Sequence, residues 1–398
     1  MTVLDRPRVE SSSPTEIEVL FREARRRRHR RWLVGSGLVA VLLALALVAV
    51  GLGLNRGTTA PLRKRVHHHS THVSVPAPPP AVSANTGLDR PTALAVATDG
   101  DLLIANQGTN QILRRLPDGT FQVVAGTGTA GYSGDGGPAV EAELNTPNGI
   151  AVAPDGTIYV ADTANNRVRA ISPSGTISTV AGNGSSVTGN GKIGVGPFGI
   201  PALDATLADP LSVALGPQGQ LYVADSGGIQ VIPPDRMLTT LTPSGLDPSV
   251  FGTDGDLMAS AITVDRTGDI YVADFAPKEL VELSSTGALV RSWVVYITNG
   301  GLATAPDGSI LVADYGEFSV DRILDGQLTR ITSFSLDSIP GITGTFRPSG
   351  VAVTSTGQIY ADTDGANGGT NTPTLGTLNN GAQFQTLATG ANTYSQGS

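Results

Sequence analysis

The sequence predicts an all-β fold: a six-bladed β-propeller of four-stranded antiparallel blades, preceded by one transmembrane helix. Three observations lead there. An apolar phrase ending in an acid returns about every 50 residues, the mark of a repeat architecture. Glycine turns cut each period into segments of strand length. A charge-free apolar stretch over residues 32–54 follows a dense run of arginines.

Residues 1–31 read as a short basic cytoplasmic tail, with Arg22, Arg25 to Arg28, Arg30 and Arg31 ahead of the apolar stretch. Ser13-Pro14-Thr15-Glu16 offers an N-cap, a proline at the first helical position and a capping-box glutamate. A helix starting there would lay its arginines on anionic headgroups; the plainer reading is a topology signal. Residues 32–54 would span roughly 35 Å as a helix, enough to cross a bilayer with some tilt. Basic residues stay on the cytoplasmic side, so the expected placement is single-pass in the cell membrane, N-terminus cytoplasmic and propeller extracytoplasmic. Arg56, Arg63, Lys64 and Arg65 beyond the span are fewer. A cleaved signal peptide is the rival, but the hydrophobic and basic regions are too long for one and no small-x-small site follows. Residues 55–86 read as a linker. Its Pro76-Ala-Pro78-Pro79-Pro80 is a semi-rigid spacer. His67, His68, His69 and His72 lack the fixed surroundings a metal site needs and read as solvated.

The propeller is expected over residues 87–398. Its phrases are Leu102-Leu-Ile-Ala-Asn106, Ile158-Tyr-Val-Ala-Asp162, Leu221-Tyr-Val-Ala-Asp225, Ile270-Tyr-Val-Ala-Asp274, Ile310-Leu-Val-Ala-Asp314 and a worn Ile359-Tyr-Ala-Asp362. Each is apolar on consecutive positions, so it reads as a strand buried on both faces. In the clearest unit, Gly149 to Ala153 is a first strand, Pro154-Asp-Gly156 a turn and Ile158 to Ala161 a second strand. Asn166 to Ile171 is a third strand, Pro173-Ser-Gly175 a turn and Ile177 to Val180 a fourth. Four strands repeated radially make a propeller blade. A seventh phrase is absent. In the last copy the acid falls one residue early, and the segment before Pro91 is available to lend that blade a strand.

The units resemble NHL repeats, a six-bladed propeller family. The resemblance rests on Pro147-Asn-Gly-Ile-Ala-Val, on Asp162-Thr-Ala-Asn165-Asn166-Arg167-Val168, on Ile177-Ser-Thr-Val-Ala-Gly182-Asn-Gly and on Gly131-Tyr-Ser-Gly-Asp-Gly-Gly-Pro138-Ala. It also extends to the extracytoplasmic sensor propellers of bacterial receptor Ser/Thr kinases. Here 31 residues ahead of the span leave no room for a kinase.

If first strands run down, every second strand ends on the upper face, where the connections between blades also begin. The extra length falls in the connections 127–146, 183–209 and 243–258, so the expected working surface is the mouth above the first four blades. Candidate ligand-binding residues there are Tyr132, Asp135, Asp162, Arg167, Asp225, Asp274 and Asp314, with Asn106 and Asp362 at the equivalent strand ends. A strand-end acid in every copy also fits a bond to its own turn. Arg167 and Arg169 fit partners for neighbouring acids.

All five histidines precede residue 87 and the chain has no cysteine, which removes Ser-His-Asp, Cys-His and His-zinc chemistry from the propeller. It also removes the histidine-dependent lyases built on related propellers. No catalytic residue is assigned. Residues 66–398 hold 13 basic and 29 acidic residues, which argues against nucleic acid as a partner. The expected role is a membrane-anchored, non-catalytic binding, sensing or scaffold module for a protein, envelope glycan or small ligand on the upper face. The one enzyme class left is a calcium-dependent lactonase or gluconolactonase-like hydrolase. Asp254-Gly-Asp256 and Asp362-Thr-Asp364-Gly-Ala-Asn367 look faintly like calcium loops but lack the closing glutamate, so no cofactor is assigned. A purely structural envelope protein is a third reading.

Overall fold

An apolar run of five residues is stable as a strand only when both of its faces are covered. Here the cover comes from the neighbouring repeats. The computed structural model describes residues 87–186, 199–247, 257–274, 278–333, 347–363, 373–378 and 384–389. The tail, span and linker expected over residues 1–86 lie outside these. Among the described residues no helix is long and apolar enough to cross a membrane.

Six antiparallel four-stranded blades follow in chain order. Blade 1 is β1 (Pro91–Val96), β2 (Leu102–Asn106), β3 (Gln111–Arg115) and β4 (Phe121–Ala125). Blade 2 is β5 (Pro147–Val152), β6 (Ile158–Asp162), β7 (Arg167–Ile171) and β8 (Ile177–Ala181). Blade 3 is β10 (Ser212–Leu215), β11 (Leu221–Asp225), β12 (Gly228–Ile232) and β13 (Met237–Leu241), with the short β9 (Ile200–Pro201) added outside β13. Blade 4 is β14 (Ala259–Val264), β15 (Ile270–Asp274), β16 (Glu279–Leu283) and β17 (Leu289–Val294). Blade 5 is β18 (Ile297–Thr304), β19 (Ile310–Asp314), β20 (Ser319–Leu324) and β21 (Gln327–Ser333). Blade 6 is β22 (Pro348–Val353), β23 (Ile359–Thr363), β24 (Thr374–Leu378) and β25 (Phe384–Thr389).

The turn between first and second strands shows why glycine recurs. Gly156 sits at φ 87°, donates to Ala153 O (2.9 Å) and closes a loop in which Ala153 N–H meets Thr157 O (2.8 Å). That is a hairpin ending in a glycine bulge, a conformation costly for any residue with a Cβ.

The core lies between blades. On β6, Ile158 and Val160 pack with Leu103 and Ala105 of blade 1, while Tyr159 and Ala161 pack with Leu221 and Val223 of blade 3. Successive strand residues point to opposite faces, so a central blade strand must be apolar throughout. Four further interblade clusters repeat this arrangement.

Polar residues link the inner strands around the ring. Ser349 Oγ donates to Pro91 O (3.2 Å), joining blade 6 to blade 1. Thr92 Oγ1 donates to Asn148 O (3.1 Å), and Thr163 Oγ1 to Pro210 O (2.6 Å). Ile262 N–H donates to Ser212 Oγ (3.2 Å), and Thr304 Oγ1 to Val264 O (3.1 Å). Gly300 pairs with Gly350 between blades 5 and 6.

Two expectations change. Blade 6 takes all four strands from the C-terminal end of the chain, and residues 87–90 add none. Leu88 instead fills the core between blades 6 and 1 with Leu94, Ala352 and Leu375. Nor are the described parts of the three long connections confined to the mouth. They run along outer edges: Pro138 pairs with Thr176 on blade 2, β9 with β13 on blade 3, and Ser244 with Ala288 on blade 4. A fourth strand presents unpaired backbone groups outward, and these connections cover them.

Candidate functional site: the upper rim of blade 2

The repeated strand-end acids lie on one face, as the topology requires. Asn106, Asp162, Asp225, Asp274 and Asp314 are all buried. Each accepts a backbone N–H from the segment leading into its own blade's first strand. The donors are Asp89 to Asn106 (2.8 Å), Asn145 to Asp162 (2.8 Å), Ala208 to Asp225 (3.1 Å), Met258 to Asp274 (3.2 Å) and Tyr296 to Asp314 (3.4 Å). The acid fastens the incoming connection beside the second strand. Asp225 and Asp314 also bind their own turns, through Gly227 N–H (2.9 Å) and Gly316 N–H (2.9 Å).

Blade 1 works with an amide because its second atom meets acceptors: Asn106 Nδ2 donates to Thr109 Oγ1 (2.7 Å) and Gly87 O (3.4 Å). In blade 2 the same place faces donors, Asn165 Nδ2 (2.8 Å) and Arg169 (3.3 Å), so a carboxylate is needed. In blade 6, Pro348 pairs with Thr363 as Pro147 pairs with Asp162. Asp362 therefore points to the other side, where it accepts from Ser349 Oγ (2.8 Å) and Gly350 N–H (2.6 Å).

Among the described residues Asp225 has no cation as a hydrogen-bond partner; besides Ala208 and Gly227 it meets Gln230 Nε2 (3.3 Å). Burial pushes its carboxyl up from 3.8 to about 6. The native state then holds this proton more tightly than the unfolded chain does. Its stabilising effect is fullest below about pH 4 and is lost as the pH rises to about 6. Asp225→Asn, compared with the parent by chemical denaturation across that range, is expected to remove a slope of up to about 1.4 kcal/mol per pH unit. A constant difference between the two curves contradicts this account.

Four predicted residues come together on blade 2. Tyr132 Oη donates to Asp135 Oδ2 (3.0 Å), and Thr179 Oγ1 donates to the same oxygen (2.7 Å). Arg169, 0% exposed, reaches Asp135 Oδ1 (2.8 Å), Ser133 O (3.0 Å) and Asp162 Oδ2 (3.3 Å). Arg167 stacks 3.7 Å above the Tyr132 ring and donates to Asn165 O (3.0 Å) and Asn183 O (2.9 Å). Tyr132 remains 42% exposed. Burial acts to raise the Asp135 carboxyl, but Thr179, Arg169 and Tyr132 outweigh it and hold it below the ordinary range. Burial raises Asp162 in spite of Asn165, Asn145 and Arg169. Asp274 and Asp314 belong to other blades and do not join this group. Thr179, Asn165 and Asn166 were not singled out as site residues. Asn166 turns the chain at φ 51° and accepts Asp209 N–H (3.1 Å) on the way into blade 3. The doubled asparagine was the available signal, since asparagine tolerates the left-handed region.

The residues that carry the repeat thus have defined work: Asp162 fastens, Asn165 braces it, Asn166 turns, Arg167 covers and Val168 is core. The family model for the Teneurin NHL domain matches residues 66–172, a stretch that includes blade 1 and β5 to β7. The matched stretch carries NHL repeats, and they sit in a six-bladed propeller. Human Teneurin-1 is 26% identical to this NHL propeller chain over 258 residues, 52% of the chain and 9% of the relative. Human Teneurin-4 is 38% identical over 103 residues, 23% of the chain and 4% of the relative. The chain therefore spans less than a tenth of the length of either relative. Among solved structures, a streptogramin B lyase superposes with a TM-score of 0.48 at 16% identity, covering 77% of this chain and 84% of that one.

The lower channel of the NHL propeller is a cavity of about 260 Å³ lined by first strands, among them Val96, Val152, Leu215, Val264 and Val353. Among the described residues that line it, Thr263 and Thr304 carry the side-chain hydroxyls, and they bond each other (3.0 Å). Among the described residues no carboxylate lines it, and no three His, Cys, Asp or Glu side chains converge to hold a metal. This donor set does not fit calcium. Of the two faint calcium loops, residues 254–256 and 364–367 lie outside the described residues.

Proposed function

We propose that this chain presents its NHL propeller on the outer side of a membrane as a non-catalytic binding, sensing or scaffold module. An anchor over residues 32–54 would hold it there. The observation that carries the reading is the use of the repeated acids. Each is buried and engaged by the backbone of its own blade, so the groups a hydrolase would draw on serve the frame. What stands exposed on the upper rim is a stacked platform of Tyr132, Arg167 and Asp135, suited to a protein, a glycan or a small polar ligand. The acidic balance of the propeller disfavours nucleic acid.

Topology is tested with protease added to intact cells carrying the full-length chain. Digestion of the propeller from outside is expected, and protection until the membrane is opened overturns the placement. The enzymatic alternative is tested by a thermal unfolding scan in millimolar calcium against EDTA. Equal melting temperatures are expected. A calcium site filled to about 100 times its Kd would add about 2.7 kcal/mol and raise the melting temperature, favouring the calcium-dependent hydrolase.

A further inference from the structure

The second residue of the second strand is tyrosine in four blades: Tyr159, Tyr222, Tyr271 and Tyr360. Each ring packs into the core shared with the following blade. Blade 5 carries Leu311 in that place, facing blade 6. Leucine stops short of the reach of a tyrosine ring. A cleft of about 330 Å³ opens there between the lower turns of blades 5 and 6. Its apolar floor is Leu311, Ile331, Val353 and Ile359. At its rim Arg322 pairs with Asp307, which also accepts from Ser309 Oγ (2.6 Å). The buried Nε of Arg322 has no hydrogen-bond partner among the described residues. Blade 1 also carries a leucine, Leu103. There the connection after β4 completes the core with Ala139, Ala142 and Leu144.

The geometry points to the cleft between blades 5 and 6 as a binding site for a small neutral phenol or aromatic alcohol. The ring replaces the tyrosine that the repeat places between other blades, and its hydroxyl lies toward the polar rim of Arg322, Asp307 and Ser309. Asp307 already balances the charge of Arg322, so the site suits a ligand without net charge. This site lies on the face opposite Tyr132 and does not depend on the function proposed above.

The probe is p-cresol, the side chain of tyrosine itself. Equilibrium dialysis against the full-length chain is expected to show one saturable site with a Kd of about 1 mM, the scale for a ligand of this size. Leu311→Tyr is expected to weaken binding at least about tenfold by filling the cleft, a loss of about 1.4 kcal/mol. Leu103→Tyr, between blades 1 and 2, is expected to leave binding unchanged. Thr356→Tyr, on an exposed turn at the mouth, provides a second block if Leu311→Tyr does not fold. Absence of saturable binding overturns the proposal. So does binding that survives both folded blocking variants, or that Leu103→Tyr abolishes equally.

Discussion

Arg169→Met is expected to lower the unfolding free energy by about 3–5 kcal/mol, the usual cost of stranding one half of a buried ion pair. Both Arg169 and Asp162 are fully buried, and the guanidinium also ties Asp135 and Ser133 to the blade. Methionine keeps the bulk of the stem and removes every one of these bonds. The loss has a pH signature. Burial already raises the Asp162 carboxyl, and Arg169 is one of the groups opposing that rise. Without it the native state binds the proton still more tightly than the unfolded chain, so the deficit should be least in acid and should grow as the pH rises through the native value. Chemical denaturation at several pH values measures this. Limited proteolysis should also find new cleavage within 127–146, because Ser133 and Asp135 lose their hold. Arg167→Met is the control. Arg167 reaches carbonyls and an exposed ring rather than a buried carboxylate, and its loss should cost no more than about 1 kcal/mol. Equal effects from the two variants would refute the distinction.

Gly182→Ala is expected to cost about 2–4 kcal/mol, with backbone strain and overlap acting together. Gly182 sits at φ 89°, and a Cβ there would lie 2.2 Å from Asn166 O and 2.9 Å from Arg167 Cα. Both obstacles are backbone, held by the left-handed turn at Asn166, so neither can swing aside. Gly175 separates the two contributions. It has φ 83° but open space around its Cβ, so Gly175→Ala should show only the conformational cost, about 1 kcal/mol. Thermal or chemical unfolding of both variants decides the point, and similar losses would remove the steric part of the explanation. Gly126, at the corresponding place after blade 1, meets Asn110 O at 2.3 Å, and the same result is expected there.

The blades, their count and the facing of their central strands were legible in the sequence because they depend on local signals. A strand buried on both faces must be apolar at consecutive positions, as Ile158 to Ala161 is, and a hairpin bulge wants glycine, as at Gly156. Six such phrases in series allow few arrangements besides a closed ring. The grouping of Tyr132, Asp135 and Arg167 was also within reach, since the topology brings the connection after blade 1 to the upper end of blade 2.

What the sequence left open was the partner of each polar group. Nothing local tells whether Asp162 faces solvent, its own turn or the N–H of Asn145, because that N–H arrives from the segment before the blade. Nor could chain order show that parts of the long connections cover outer edges. That outcome depends on unpaired backbone of β8, β13 and β17 meeting the connection in space. The gap beside Leu311 is of the same kind, for a leucine differs from a tyrosine only slightly in a list of apolar residues. It matters only where the neighbouring blade does not close around it. The sequence by itself determined the repeat, the blades and their number. Tertiary structure alone decided which acids are buried, which edges are covered and where a cleft remains, because those properties belong to pairs of segments far apart in the chain.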